Sequence, residues 1–417
     1  TEILTAAQYM LSEGNVMYYI SDYTETHITA LKGVLSDEKC SKMLASLRQE
    51  DMLLFFREWM KHKKSDEYVD VTSVSSYSKN ITELEWGYNR DKEKLPQINI
   101  GMYFGEETRL PLYYRVYPGS ISDKAHLKYM VADNDFINGQ KTRFVMDRGF
   151  YSADNLRYLT DKSYRFVIAL PTNLKYCTEL IKKHGGEIAN HSEYRLGSGL
   201  PYGKSCEETA LGFRMKVHLF YDPQKALKET EALYSLIDAQ ENDLRNMEEP
   251  PDKKLHYDRY FFINRSKDGK LAYRRNNKAI DEQLELCGYF LIAETDFKKT
   301  TAEILEIYRN RDVVEKSFDS LKNELDMKRL HTWASETAQG KLFVSFISLI
   351  VRSYMLNGLS DYMRKNGFTL KKIILGLDKM KCFTQSSSHS PRPLNPPTKT
   401  QREIYASLAL DTDDCIG

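Results

Sequence analysis

Between Glu67 and Leu170 the spacing of apolar residues switches repeatedly between the period of a strand and that of a helix, and this alternation constrains the fold most tightly. Glu67-Tyr-Val-Asp70-Val-Thr-Ser-Val is rich in β-branched residues, which suit a pleated, half-buried surface. Ile98-Asn-Ile-Gly-Met-Tyr-Phe104 and Leu110-Pro-Leu-Tyr-Tyr-Arg-Val116 read as two more strands, joined by the turn Gly105-Glu-Glu-Thr. After Pro118-Gly119 the period lengthens, and Ser122 caps an expected helix reaching Phe136, with Leu127, Met130 and Val131 on one face. Arg143 to Met146 is a short buried strand, Ser152 to Asp161 a helix with Leu156 and Leu159 inward, and Tyr164 to Leu170 another buried strand. The order is β-β-β-α-β-α-β.

That order is the one found in the ribonuclease H fold, so the expected class is α/β with a mixed sheet: a ribonuclease H-like core with flanking helices. Such a core carries acidic residues on its first strand and at the end of its fourth, where Asp70 and Asp147 fall. An aspartate in the middle of Tyr-Val-Asp-Val-Thr is costly to bury unless it is paired or metal-bound. One at the carboxyl end of a strand points into the usual ligand crevice. Each also has a plainer reading, as a turn former or a cap.

The rest of the chain organises around this core. Residues 1–64 are helical in pattern: Ser36-Asp-Glu-Lys is an N-cap signal, and Met43, Leu44, Leu47, Leu53, Leu54 and Phe55 recur at helical spacing. This segment is a scaffold or a truncated part of a DNA-binding region. Residues 65–171 form the first part of the core, and 172–296 an insertion expected to be mainly β, with strand-like runs at Phe213–Tyr221, Tyr257–Ile263 and Gly288–Ala293. The insertion also holds a charged helix near Gln224–Met247 and the turn Ser266-Lys-Asp-Gly-Lys. Residues 297–370 complete the core, with a long helix at Thr337–Arg364, and 371–417 form a tail containing a Ser/Pro-rich linker at Thr384–Lys399.

Bulk composition narrows the partners. Charged residues make up 29% of the 417 and balance to +1, so any nucleic-acid surface must be local. Six cysteines lie far apart without a C-x-x-C pair, and no H-E-x-x-H occurs, which points to a reduced cytosolic protein without a zinc site. The longest apolar run, Leu342–Val351, is about half the length of a membrane span and reads as a core helix. The chain begins at Thr1 rather than methionine, so a longer parent trimmed upstream is expected.

Ile304 to Lys322 reads as one helix. At about 100° per residue, Tyr308, Arg311, Glu315 and Lys322 fall on one stripe, beside an apolar stripe of Ile307, Val314, Phe318, Leu321 and Leu325. Taken alone, such a stripe is more often a solvated flank of an amphipathic helix.

These residues carry a resemblance. Tyr308, Arg311, Glu315 and Lys322 match, without a gap, the Tyr-x2-Arg-x3-Glu-x6-Lys signature of bacterial insertion-sequence transposases of the DDE class, insertion-sequence family four type. Val145-Met-Asp147-Arg-Gly-Phe-Tyr-Ser152 resembles that family's D-x-G-F-x-S stretch, and Val69-Asp70-Val-Thr-Ser73 its first-aspartate strand. Gly119-Ser-Ile-Ser-Asp123, a loose version of its segment, and His331-Thr-Trp333 are similar to further landmarks, and the likeness runs from about Tyr68 to Leu356.

The resemblance implies a DNA transposase with Asp70, Asp147 and Glu315 as catalytic metal ligands. They would hold two Mg²⁺ ions, or Mn²⁺ in their place, with Asp70 between them; hard cations take carboxylate oxygens. Arg311 and Lys322 would hold phosphates and Tyr308 the DNA backbone or a base. The implied partners are double-stranded DNA, namely terminal inverted repeats and target, and a second protomer, with no membrane and no small-molecule substrate. The implied setting is the bacterial cytoplasm, at the nucleoid. Cut-and-paste through a hairpin would need an unstacked base, for which Trp333, Tyr289 and Phe290 are stacking candidates; core packing is the plainer role of each. Two other readings are a ribonuclease H-like nuclease without strand transfer and an inert, transposase-derived DNA-binding protein.

Overall fold

The structure is a computed structural model that describes all residues except 63–66, 88–93, 138–140, 198–200, 248–256, 266–270, 384–391 and 411–417. In chain order the helices α1 (Glu2–Glu13), α2 (Ile20–Thr26), α3 (Asp37–Ser46) and α4 (Gln49–Trp59) precede the strands β1 (Glu67–Ser75), β2 (Gln97–Gly105) and β3 (Pro111–Pro118). Next come α5 (Asp123–Ile137), β4 (Arg143–Met146), α6 (Ala153–Asp161), β5 (Arg165–Leu170) and α7 (Lys175–Asn190). Then follow β6 (Tyr202–Glu208), β7 (Met215–Tyr221), α8 (Pro223–Asn246), β8 (Phe261–Arg265), β9 (Leu271–Arg275), α9 (Asn277–Leu284) and β10 (Tyr289–Glu294). The chain continues through α10 (Thr301–Asn310), α11 (Asp312–Asp319), α12 (Ser335–Asn366), α13 (Leu370–Leu377) and α14 (Lys399–Ser407). From β1 to β5 the order is the expected β-β-β-α-β-α-β, and the architecture is mixed α/β.

The chain divides into two compact units, one of residues 1–142 with 310–417 and one of residues 143–309. This division cuts between α5 and β4 rather than at the expected boundary near 171.

In the first unit, β1, β2 and β3 form an antiparallel meander in which Asp70 lies opposite Met102. Every residue of β2 is buried, as expected of its central place. A Cβ at Gly101 would lie 2.6 Å from Met130 Sδ, so glycine lets α5 close onto the sheet there. The helix α12 packs on α1 and α3, and at Gly340 a Cβ would stand 2.0 Å from the Leu44 carbonyl oxygen, so only glycine admits this approach. Phe343 and Phe346 on α12 meet Phe55 and Phe56 of α4 edge-on. By length and composition α12 could cross a membrane, yet 61% of its most apolar window is buried inside the protein.

In the second unit, β4 runs parallel to β5, and the order continues β5-β10-β7-β6 through antiparallel pairs. Its core is lined by Phe144, Phe166, Val217, Phe220 and Leu291, all buried. A second cluster joins Leu233, Ile237 and Leu244 of α8 to Phe261 of β8 and Ile280 of α9. The expectation of a mainly β insertion is corrected here: alongside β6 to β10 stand α7, α8 and α9, with α8 the longest element at 24 residues. The pair Gly185-Gly186, unfavourable in a helix interior, concealed α7. The expected turn at 266–270 and the first half of the Ser/Pro-rich linker, 384–391, lie outside the described residues.

The single helix expected over Ile304–Lys322 is three pieces. The chain leaves α10 at Asn310, restarts as α11 after Arg311, and closes with a π turn over Ser320–Glu324, where the Leu325 amide donates to the Ser320 carbonyl at 3.0 Å. A π turn takes more residues per turn than the 100° spacing assumes, so Lys322 falls out of the expected phase. The apolar stripe survives, since Ile307, Val314, Phe318, Leu321 and Leu325 are all buried.

Candidate active site

Asp70 sits mid-strand in β1 and is itself buried, where a carboxylate needs a partner. Its partner comes from 241 residues away: Arg311 Nη1 donates to Asp70 Oδ2 at 2.9 Å. The other end of the same guanidinium donates from Nη2 to Glu315 Oε1 at 2.6 Å, one helical turn along α11. The Asp70 and Arg311 side chains are 9% and 12% exposed while that of Glu315 is 55% exposed, so the cluster is closed on the strand side and open at the glutamate. Because α11 packs on β1, two carboxylates distant in sequence share one cation.

Asp147 follows β4 in the second unit and is held by its own neighbourhood. It caps the short turn Arg148–Phe150, with Oδ1 accepting from the Gly149 amide at 2.6 Å. A Cβ at Gly149 would stand 2.7 Å from Asp147 Oδ1, which explains glycine at that place in the D-x-G stretch. Ser152 then caps α6 by accepting from the Asn155 amide.

Tyr308 lies half-buried on α10. Lys322, on the π turn, is only 7% exposed. That burial stands against a phosphate grip in this conformation. Of the stacking candidates, Tyr289 and Phe290 belong to the packing of β10, where Phe290 stacks on Phe220 with centroids 4.8 Å apart. Trp333 is 71% exposed, its carbonyl accepting from Ser78 Oγ at 2.8 Å. Beside it in the chain, the Arg329 guanidinium lies 4.7 Å from the Tyr77 ring centroid.

Sequence reasoning assigned Arg311 to phosphate and missed its carboxylate partners; the i, i+4 spacing to Glu315 was the available signal, whereas nothing local pointed to Asp70. It also missed a buried pair in the second unit, where His218 Nε2 lies 3.7 Å from Glu294 Oε1 and both side chains are wholly buried. Burial holds the His218 pKa below its usual value, against the opposing pull of Glu294.

Among the described residues, no group of three or more His, Cys, Asp or Glu side chains stands ready as a metal cage. The donor chemistry at Asp70 and Glu315 nevertheless fits a hard divalent cation: both offer carboxylate oxygens, from different elements, and already converge on a positive charge.

Residues 62–351 match the model of the family described as Transposase DDE domain, and the chain belongs to that family. Membership makes it a DNA-acting enzyme of nucleotidyl transfer, in a family that uses divalent metals. No curated protein matches the chain. Among solved structures it is similar to a piggyBac transposase synaptic complex with hairpin DNA, seen by cryo-EM, with 10% identity and a TM-score of 0.45 over 90% of this chain and 70% of that one.

Proposed function

We propose that the chain cuts DNA at the ends of a mobile element and joins the freed 3′ ends to target DNA, with Asp70, Asp147 and Glu315 as the metal-holding carboxylates. The observation that carries this reading is the meeting of Asp70 and Glu315 on one guanidinium, because it draws together two of the three acidic residues of the motif from remote parts of the chain. When bound, a pair of Mg²⁺ or Mn²⁺ ions supplies Lewis acidity and a nucleophile at neutral pH. Asp70, fixed in the strand, and Glu315, on the open side of the cluster, would hold these ions. Asp147, whose Oδ1 accepts from the Gly149 amide, would supply the third carboxylate. Arg311 meets the phosphate next to the scissile bond, and Tyr308 contacts the strand beside it.

Hairpin formation would require one base to leave the stack, and the exposed Trp333 is the surface aromatic we assign to receive it. Tyr289 and Phe290 are withdrawn from that role. Excision treats two element ends in one event, so the working form is a pair of protomers on DNA, acting at the bacterial nucleoid in the cytoplasm.

The test is a metal-dependent cleavage assay on a duplex carrying the element's terminal repeat. Glu315→Gln should reduce cleavage by about a thousandfold, the scale on which loss of transition-state charge stabilisation acts, while end binding persists. Joint loss of binding and cleavage in a folded variant would make Glu315 structural. Hydrolysis without joining would favour the simple nuclease, and binding without cleavage by the unaltered chain the inert DNA-binding protein.

A further inference from the structure

We infer that Arg311 is a resident cation of the carboxylate pair: its guanidinium holds the place between Asp70 and Glu315 that a divalent ion takes, and it must swing away, onto DNA phosphate, for the ion to load. The inference rests on the metal-holding role proposed above for Asp70 and Glu315. The guanidinium does not grip one carboxylate with both arms. It spans the two, Nη1 at 2.9 Å from Asp70 and Nη2 at 2.6 Å from Glu315. Both members of the inner pair are nearly closed to water, so the charge of Asp70 needs a cation at all times, whichever it is. Arg311 also sits where the helical chain breaks between α10 and α11, and as the residue preceding α11 it gives no side-chain cap to that helix. Its side chain is thus engaged in bridging carboxylates rather than in closing the helix end.

A guanidinium and a divalent ion repel each other and compete for the same oxygens. Metal affinity without DNA is therefore lowered by the fraction of molecules in which Arg311 has moved aside. A phosphate offers the displaced fork an equivalent planar, bidentate partner. DNA and metal then strengthen each other's binding by the same factor. Arg311 acts here as a positioning residue: it keeps Asp70 and Glu315 together before the site is loaded.

The experiment measures Mn²⁺ binding by electron paramagnetic resonance on the full chain without DNA, for the wild type, Arg311→Gln, Arg311→Lys and Asp70→Asn. Arg311→Gln should bind Mn²⁺ about tenfold tighter than wild type or more, since the competing population is removed. Arg311→Lys keeps the charge but lacks a planar fork to span both carboxylates, and should fall between the two. If Arg311→Lys equals the wild type, charge alone sets the affinity and the inference is overturned. It is overturned equally if Arg311→Gln binds no tighter while Asp70→Asn binds more weakly, and in that case the metal-holding reading stands. Should Asp70→Asn leave Mn²⁺ binding unchanged, the reading and the inference fall together. An unrelated duplex, added as a source of phosphates, should close most of the gap between wild type and Arg311→Gln; a gap that persists would refute release onto phosphate. If Arg311→Gln does not fold without metal, Arg311→Lys carries the comparison, supported by its melting temperature with and without Mn²⁺, which should rise more than that of the wild type.

Discussion

Asp70 and Asp147 are the same residue type assigned the same task, but the molecule holds them in opposite ways. Asp147 is fixed by its own turn, through an amide two residues away. Asp70 is fixed by a guanidinium that arrives 241 residues later and also serves Glu315. A carboxylate positioned locally is insensitive to what the distant chain does, whereas one positioned by a remote cation couples its strand to the helix bearing that cation. The first kind of site is modular; the second makes local stability and function one property.

The sharpest way to break this comparison is to truncate each aspartate. Asp70→Ala removes the buried one of the two carboxylates on a nearly buried guanidinium and should cost about 3 kcal/mol of stability in metal-free buffer, against about 1 kcal/mol for Asp147→Ala, which loses one neutral-donor hydrogen bond. Urea unfolding monitored by circular dichroism reads both, and equal losses would erase the distinction. Gly149→Ala should act on turnover instead of stability, because the added methyl presses on Asp147 Oδ1 and shifts the carboxylate. A displacement of that order lowers cleavage by about a hundredfold at unchanged DNA affinity; wild-type rates would remove Gly149 from the site.

A second buried cation sharpens the role of direct pairing. Lys341 on α12 is pushed down to about 8, mainly by burial, with Cys40 and Asp326 as its opposing charges. Its folded pKa lies below its unfolded one, so from about pH 8 to about pH 10.5 the unfolded chain binds a proton that the folded chain has released. Stability from this group therefore rises with pH across that window, and the rise should vanish in Lys341→Met. A melting temperature with the same alkaline profile in both proteins would contradict the assignment.

The smallest effect is expected at Lys322. A solvent-facing phosphate contact removed by alanine lowers the slope of log affinity against log salt by about one. Because Lys322 is buried on the π turn, Lys322→Ala should change that slope by less than this, and a full unit would show that the lysine turns outward on DNA.

Much of the fold was legible because it is written in short-range pattern. β4 begins and ends at the expected residues, and β1, β2, β3 and β5 differ from expectation by a residue or two. The Ser36 and Ser122 caps form as expected, each accepting from the amide three residues on. What the pattern concealed has physical causes. α7 contains two adjacent glycines; the break at Arg311 has neither glycine nor proline to announce it; and the π turn inserts a residue that no fixed angular step foresees. At the site, the local half of the arrangement was readable from Asp147-Arg-Gly149, whereas the Asp70 to Arg311 pair depends on a contact no spacing rule reaches.

The same remoteness has a consequence in time. A ribosome adding about 5–20 residues per second needs roughly 12–50 s to travel the 241 residues from Asp70 to Arg311. Throughout that interval the nascent first strand carries an aspartate whose Arg311 partner has not been made. The second unit, residues 143–309, emerges whole in the meantime. Closure of α11 onto β1 therefore follows synthesis of the whole second unit. The Asp70–Arg311–Glu315 cluster assembles only after most of the chain is complete.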